Sequence, residues 1–97
     1  MIQSFGNQLA SDLFDDKSSK VVRFFPSDLR RRARRKLLYL HEAAVLQDLK
    51  VPPGNRLEQL KGNKKDFFSI RVNDQWRIIF KWKESNAYEV QIIDYHK

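Results

Sequence analysis

Apolar residues recur along this chain with two different periods, and the change falls at Pro52-Pro53-Gly54-Asn55. Before that break the spacing is helical. Leu9, Ala10, Leu13 and Phe14 stand at i, i+1, i+4 and i+5, one stripe of a short helix with Asp12, Asp15 and Asp16 mostly outward. Leu29, Ala33, Leu37, Leu40 and Ala44 mark one face of a longer helix. Pro26-Ser27-Asp28 signals its start, Ser27 as cap and Asp28 against the positive end of the helix dipole, and the pattern carries it to about Leu46. Residues 1–5 read as a short first strand stopped by Gly6 and Asn7, and residues 17–20 as a loop.

After the break the period becomes two. Residues 56–60 alternate, and Lys61-Gly62-Asn63-Lys64-Lys65 is a basic turn. Residues 67–72, 76–82 and 88–94 are rich in β-branched and aromatic types, with turns at 73–75 and 84–86. Phe68, Ile70, Val72, Trp76, Ile78, Phe80, Trp82, Tyr88, Val90 and Ile92 form the expected core face. A three-residue turn at 73–75 sets Val72 against Trp76, Ile70 against Ile78 and Arg71 against Arg77; a two-residue turn would bury an arginine, which a one-sided core forbids. The next hairpin is expected to set Trp82 against Tyr88, Phe80 against Val90, Ile78 against Ile92, Lys81 against Glu89 and Ile93 against Arg77. The fold class is therefore α+β: two N-terminal helices on a mainly antiparallel sheet of four to five strands, in one domain spanning residues 1–97.

Composition narrows the function. The chain has 97 residues and no cysteine, which removes disulfides, thiolate metal sites and a cysteine nucleophile. No stretch approaches the ~20 apolar residues of a membrane span, and the first residues lack a basic segment followed by an apolar run, so a cytoplasmic protein without a signal peptide is expected. Nineteen Lys and Arg against twelve Asp and Glu give a net charge of +7. Self-repulsion of that size points to a polyanionic partner, nucleic acid ahead of an acidic membrane surface or an acidic protein.

Two basic features stand out. Arg71 and Arg77 face each other across a hairpin, and like charges placed so repel. They either splay toward solvent and an acid, or clamp one phosphate through two guanidinium forks. Arg30-Arg31-Arg32-Ala33-Arg34-Arg35-Lys36 stacks like charges at i, i+4, each pair costing about 0.2–0.5 kcal/mol. It is either a solvated helix face or a surface that follows a nucleic-acid backbone. Lys64 and Lys65 extend the positive charge. The two histidines are His41, read as a half-buried residue beside the stripe of the long helix, and His96, which follows Asp94-Tyr95 at the end of the last strand. A histidine exchanges protons near neutral pH, so Asp94-Tyr95-His96 close to an arginine pair is a candidate catalytic cluster. With so few donors, no metal site or other cofactor is expected.

At these positions the sequence resembles the HigB-like toxins of the RelE/ParE superfamily. The resemblance is carried by Leu60-Lys61-Gly62, by Ser69-Ile70-Arg71-Val72-Asn73-Asp74-Gln75-Trp76-Arg77, and by Asp94-Tyr95-His96. It covers roughly the last forty residues in motif detail. It implies a RelE-like fold and a type II toxin that cuts messages in the ribosomal A site without a metal. It also implies a cognate helix-turn-helix antitoxin, HigA-like, through which alone operator DNA would be met. By position it assigns Lys61, Arg71 and Arg77 to the phosphate and transition state, and Asp94, Tyr95 and His96 to the catalytic end. Some members carry a histidine where this chain has Glu58, which leaves Glu58 and His96 both open as the general base. Two other readings remain: a ParE-like poison of DNA gyrase, and a non-catalytic nucleic-acid-binding module carried by the basic helix.

Overall fold

A computed structural model describes residues 1–95. The helical half contains α1 (Gln8–Phe14), α2 (Lys20–Phe24) and α3 (Arg30–Glu42). After the 3-10 turns Leu46–Lys50 and Pro53–Asn55 come β1 (Glu58–Gln59), β2 (Phe67–Arg71), β3 (Trp76–Lys83) and β4 (Asn86–Asp94). The four strands form one antiparallel sheet in chain order. The expected α+β architecture is the observed one, with a third, five-residue helix the sequence reading did not separate.

The residues expected as a first strand run parallel along the free edge of β4. Ile2 bridges Ala87 and Phe5 bridges Val90, with Gln3 N–H donating to the Ala87 carbonyl at 2.8 Å and Gly6 N–H to that of Val90 at 2.8 Å. Asn7 then caps α1 by accepting from the Ala10 N–H. Its amide also donates to the Ile92 carbonyl at 2.9 Å, which ties the helix start to β4.

Several helical expectations are corrected. Asp12 is buried, not outward: Gln8 Nε2 donates to its carboxylate at 2.7 Å, so its charge is satisfied beneath the following turn. Residues 17–20 are a loop only to Ser19, whose hydroxyl accepts from the Val22 N–H and starts α2. One turn burying only Val22 and Phe25 is too short for a periodic signal. Ser27 does not cap the long helix. A 3-10 turn, Ser27–Leu29, feeds directly into α3 without a side-chain cap. That helix stops at Glu42, short of Leu46, because Ala43 is extended (φ −64°, ψ 129°) and the Asp48 carboxylate draws in the next N–H groups, Ala44 at 3.0 Å and Val45 at 3.3 Å. Ala43, not Ala44, therefore enters the core.

In the sheet, Ile70 pairs with Ile78 and Arg71 with Arg77, as the three-residue turn requires. The second hairpin departs in part. Glu84 and Ser85 both have positive φ, 51° and 66°, and set Lys83 opposite Asn86 across a two-residue turn. A bulge at Glu89 (φ 52°) absorbs the lost residue. Near the turn Trp82 therefore faces Ala87 and Lys81 faces Tyr88, while beyond the bulge Ile78 still meets Ile92 and Arg77 meets Ile93. Ala87 takes the core place expected of Tyr88. Lys81 and Glu89 still form an ion pair at 3.0 Å.

The main core joins Ala33, Leu37 and Leu40 of α3 and Leu13 of α1 to Ile70, Ile78, Phe80, Val90 and Ile92 of the sheet. The opposite sheet face is not wholly polar. Leu60, Phe67 and Ile79 bury one another there, with Ile93 against them. This smaller cluster is the floor on which the candidate site stands.

Candidate functional site

Arg77 lies at the centre of that outer face. One of its terminal nitrogens donates to the Glu58 carboxylate at 3.1 Å and to the Ser69 hydroxyl at 3.2 Å. The guanidinium carbon sits 4.7 Å from the centre of the Tyr95 ring, a cation–π distance. Its side chain is 13% exposed, and among the described residues its Nε has no hydrogen-bond partner. The arrangement follows from the strands. Glu58 pairs with Ser69 across β1 and β2, and Ser69 pairs with Ile79 across β2 and β3. Ser69 on the adjacent strand β2 and Glu58 on β1 beyond it thus reach Arg77 from one side, and Tyr95 reaches it from the end of β4 on the other.

Beside this cluster an open cleft of about 500 Å³ is lined by Glu58, Gln59, Leu60, Lys61, Asn63, Lys64 and Tyr95. Lys61 is exposed at the start of the Gly62–Lys64 turn, where Gly62 has φ 69°. Lys64 places its ammonium 5.4 Å from the Phe67 ring centre. Lys65 is exposed, and its carbonyl accepts from Gln59 Nε2 at 3.0 Å, which fixes the turn. The Asp94 carboxylate accepts from Gln75 Nε2 at 3.0 Å, and Tyr95 N–H donates to the Gln75 carbonyl at 2.6 Å. The 73–75 turn thereby holds the end of β4. His96, the histidine of the expected catalytic end and one of the two candidate bases, lies outside the described residues.

The structure brings together Glu58, Lys61, Arg77 and Tyr95, and separates Arg71 from them. Arg71 is opposite Arg77 in register, yet its guanidinium pairs with Asp74. It also lines a second cleft with Arg32, Arg35 and Lys36 of α3. The two arginines hold different acids, so the single-phosphate clamp is not formed here. Arg30 is engaged with the fold: its guanidinium donates to the carbonyls of Arg23 at 3.1 Å and Phe25 at 3.3 Å. Arg31, Arg34 and Arg35 rim a groove of about 480 Å³ between α1 and α3, floored by Leu13, Val22 and Leu38.

Sequence reasoning missed Ser69 and Asn55, both fully buried. Ser69 stood inside a quoted motif, and only its place on the outer face opposite Ile79 marks it as an acceptor for Arg77. Asn55 sat in the break between the two periods, where nothing in the pattern signals a buried polar residue. Among the described residues no group of three or more His, Asp or Glu is placed to hold a metal ion.

Comparison with known proteins finds a matching family and similar relatives. A family model described as the RelE-like toxin of the type II toxin–antitoxin system HigB matches residues 3–96. Toxin HigB-1 of Vibrio cholerae serotype O1 is 43% identical over 83 residues, which cover 86% of this chain and 83% of that protein. An uncharacterized protein of Haemophilus influenzae is 36% identical over 83 residues, covering 86% of this chain and 77% of its own length.

Proposed function

The chain belongs to the HigB-like toxins of type II toxin–antitoxin systems, and from that membership we propose that it is a cytoplasmic mRNA endonuclease acting in the ribosomal A site. As a type II toxin it has a cognate antitoxin. We take that partner to be a HigA-like helix-turn-helix protein, through which the toxin meets operator DNA. The arginine-rimmed groove of α1 and α3 and the exposed Lys64 and Lys65 are the basic surfaces offered to antitoxin or ribosomal RNA.

The observation that carries the nuclease reading is the Arg77 cluster: a half-hidden guanidinium fixed by Glu58, Ser69 and Tyr95 at the edge of a cleft with Lys61. A guanidinium held this way is preorganised for charge that develops on a phosphate. In the reaction, Glu58 or His96 takes the proton of a ribose 2′-OH, and the 2′-oxygen attacks the adjacent phosphorus. The bond to the 5′-oxygen breaks, and His96 returns a proton to that oxygen. The products are a 2′,3′-cyclic phosphate and a 5′-hydroxyl. Arg77 and Lys61 stabilise the equatorial oxygens, Arg71 flanks them, Tyr95 holds Arg77, and Asp94 keeps the strand end that leads to His96 in place. No step uses a metal. DNA, lacking the 2′-OH, is not cut.

The test is mRNA cleavage on purified programmed ribosomes, wild type against His96→Ala and Glu58→Gln. Wild type is expected to cut and His96→Ala to be inactive while folded. An active His96→Ala overturns the acid assignment. Inhibition of growth without new 5′ ends on messages would move the target to gyrase.

A further inference from the structure

The second cleft, about 300 Å³, lies between α3 and the end of β2. Arg32, Arg35 and Lys36 form one wall, Arg71 the other, and Tyr39 with the 52–54 loop completes the rim. Among the described residues no carboxylate lines it. The acid on Arg71, Asp74, is itself 93% exposed, so it competes poorly for that guanidinium with a ligand seated in the cleft.

The cations are positioned, not merely gathered. The Lys36 ammonium donates to the Asn55 side-chain oxygen. Asn55 is wholly buried, and its amide nitrogen donates to the carbonyls of Leu49 at 3.1 Å and Val51 at 3.3 Å. Those two bonds fix which way the amide points, so its oxygen must face Lys36. Arg32 is anchored on the Val72 carbonyl at 3.3 Å. Burial, then the charges of Arg32 and Arg71, pull the Lys36 pKa below its ordinary value. Tyr39 is 47% exposed and offers a ring at the rim. A Cβ built on Gly54 would meet nothing within 4 Å, so that side of the cleft is open.

We propose that this cleft holds an RNA phosphodiester next to the scissile one, with Tyr39 stacking on the adjoining base. The reading rests on the RNA-cleaving function above. Guanidinium forks match phosphate oxygens, and an exposed aromatic ring serves a base in a way that an acidic side chain cannot use. Arg71 stands opposite Arg77 in register, so one strand of RNA can meet Arg77 and then Arg71 in succession. The arginine pair thus serves two neighbouring phosphates, not one.

The probe is a fluorescent twelve-nucleotide RNA with 2′-O-methyl riboses, which cannot be cut, titrated against the full chain by anisotropy at several salt concentrations. Arg35→Gln is expected to weaken binding about tenfold and to flatten the salt dependence by roughly one phosphate contact. Tyr39→Ala is expected to weaken it about fivefold with the salt slope unchanged. Lys20→Gln, an exposed cation on α2, is the control and should bind as wild type. The proposal falls if Arg35→Gln and Tyr39→Ala bind as wild type, or if Lys20→Gln weakens binding as much as Arg35→Gln. It also falls if a polyglutamate peptide displaces the RNA and binds Tyr39→Ala undiminished, which would put an acidic protein segment in the cleft. Ribosomal cleavage is scored separately. A wild type that binds through the cleft but cuts nothing refutes the nuclease and leaves the cleft standing.

Discussion

Arg77 is covered by Tyr95, with 4.7 Å between the guanidinium carbon and the ring centre. A cation on an aromatic face gains about 0.5–1 kcal/mol when exposed and about 2 kcal/mol or more when desolvated. Arg77, with its side chain 13% exposed, belongs near the upper end. If the ring acts by holding Arg77, Tyr95→Phe should keep ribosomal cleavage within about threefold of wild type, while Tyr95→Ala should lower kcat about tenfold or more. Arg77→Lys, which loses the fork, should lower it by about 10²–10³. Tyr95→Ala should also lower Tm by about 8–16 °C, the loss of about 2 kcal/mol in a domain of this size, while Tyr95→Phe should shift it little. Equal losses for Tyr95→Phe and Tyr95→Ala would instead give the work to the phenolic hydroxyl.

The β3–β4 turn is built from residues poorly suited to it. Glu84 and Ser85 both adopt positive φ, a conformation that Asn-Gly takes with least strain. Glu84→Asn with Ser85→Gly should stabilise the protein by about 1 kcal/mol, or about 4–8 °C in Tm for a domain of this size. Neither side chain lines the Arg77 cluster, so cleavage should be unchanged. An unchanged Tm would mean that the turn carries no strain.

That turn also shows where the sequence was legible. The first hairpin could be read to the residue because a one-step slip buries Arg71 against Trp76, a penalty large enough to select one register. The second hairpin offered no such penalty near its tip: Ala87 and Tyr88 are both tolerable beside Trp82, so a two-residue turn plus a bulge could not be told from a three-residue turn. Beyond the bulge the pattern regains control, and Ile78 meets Ile92 as expected. The site divides the same way. Resemblance to the HigB-like toxins pointed to Glu58, Lys61, Arg77 and Tyr95, which the fold brings near one another. It could not show that Arg71 turns toward Asp74 and α3, because cross-strand register fixes backbones and not the far ends of long side chains.

Asp12 gives a pH-dependent prediction. Hydrogen bonds from the Ser19 side chain and from Gln8, helped by the charge of Lys17 and opposed by burial, hold its pKa below the ordinary 3.8. Between that lowered value and 3.8 the unfolded chain binds more protons than the folded one, so stability falls as pH falls through this window. The contribution is complete above 3.8. Asp12→Asn should therefore be less stable than wild type at neutral pH, with the gap closing below about pH 4. Urea midpoints at pH 7, 5, 4 and 3 would show it. A gap of constant size from pH 7 to pH 3 would refute the linkage.

Gly6 sits where the N-terminal edge segment meets β4. Its N–H donates to the Val90 carbonyl at 2.8 Å, and a Cβ at this position would stand 2.7 Å from Cγ of Gln91. Cγ is near the root of that side chain and cannot swing away without a rotamer change, so Gly6→Ala should cost about 1–3 kcal/mol. Shortening the neighbour removes the obstacle. Gln91→Ala alone should be mild, and Gly6→Ala with Gln91→Ala should recover most of the loss, a coupling of at least about 1 kcal/mol in a double-mutant cycle. Chemical denaturation of the four proteins measures it. Additive losses would mean that Gly6 is required for its backbone and not for the space it leaves to Gln91.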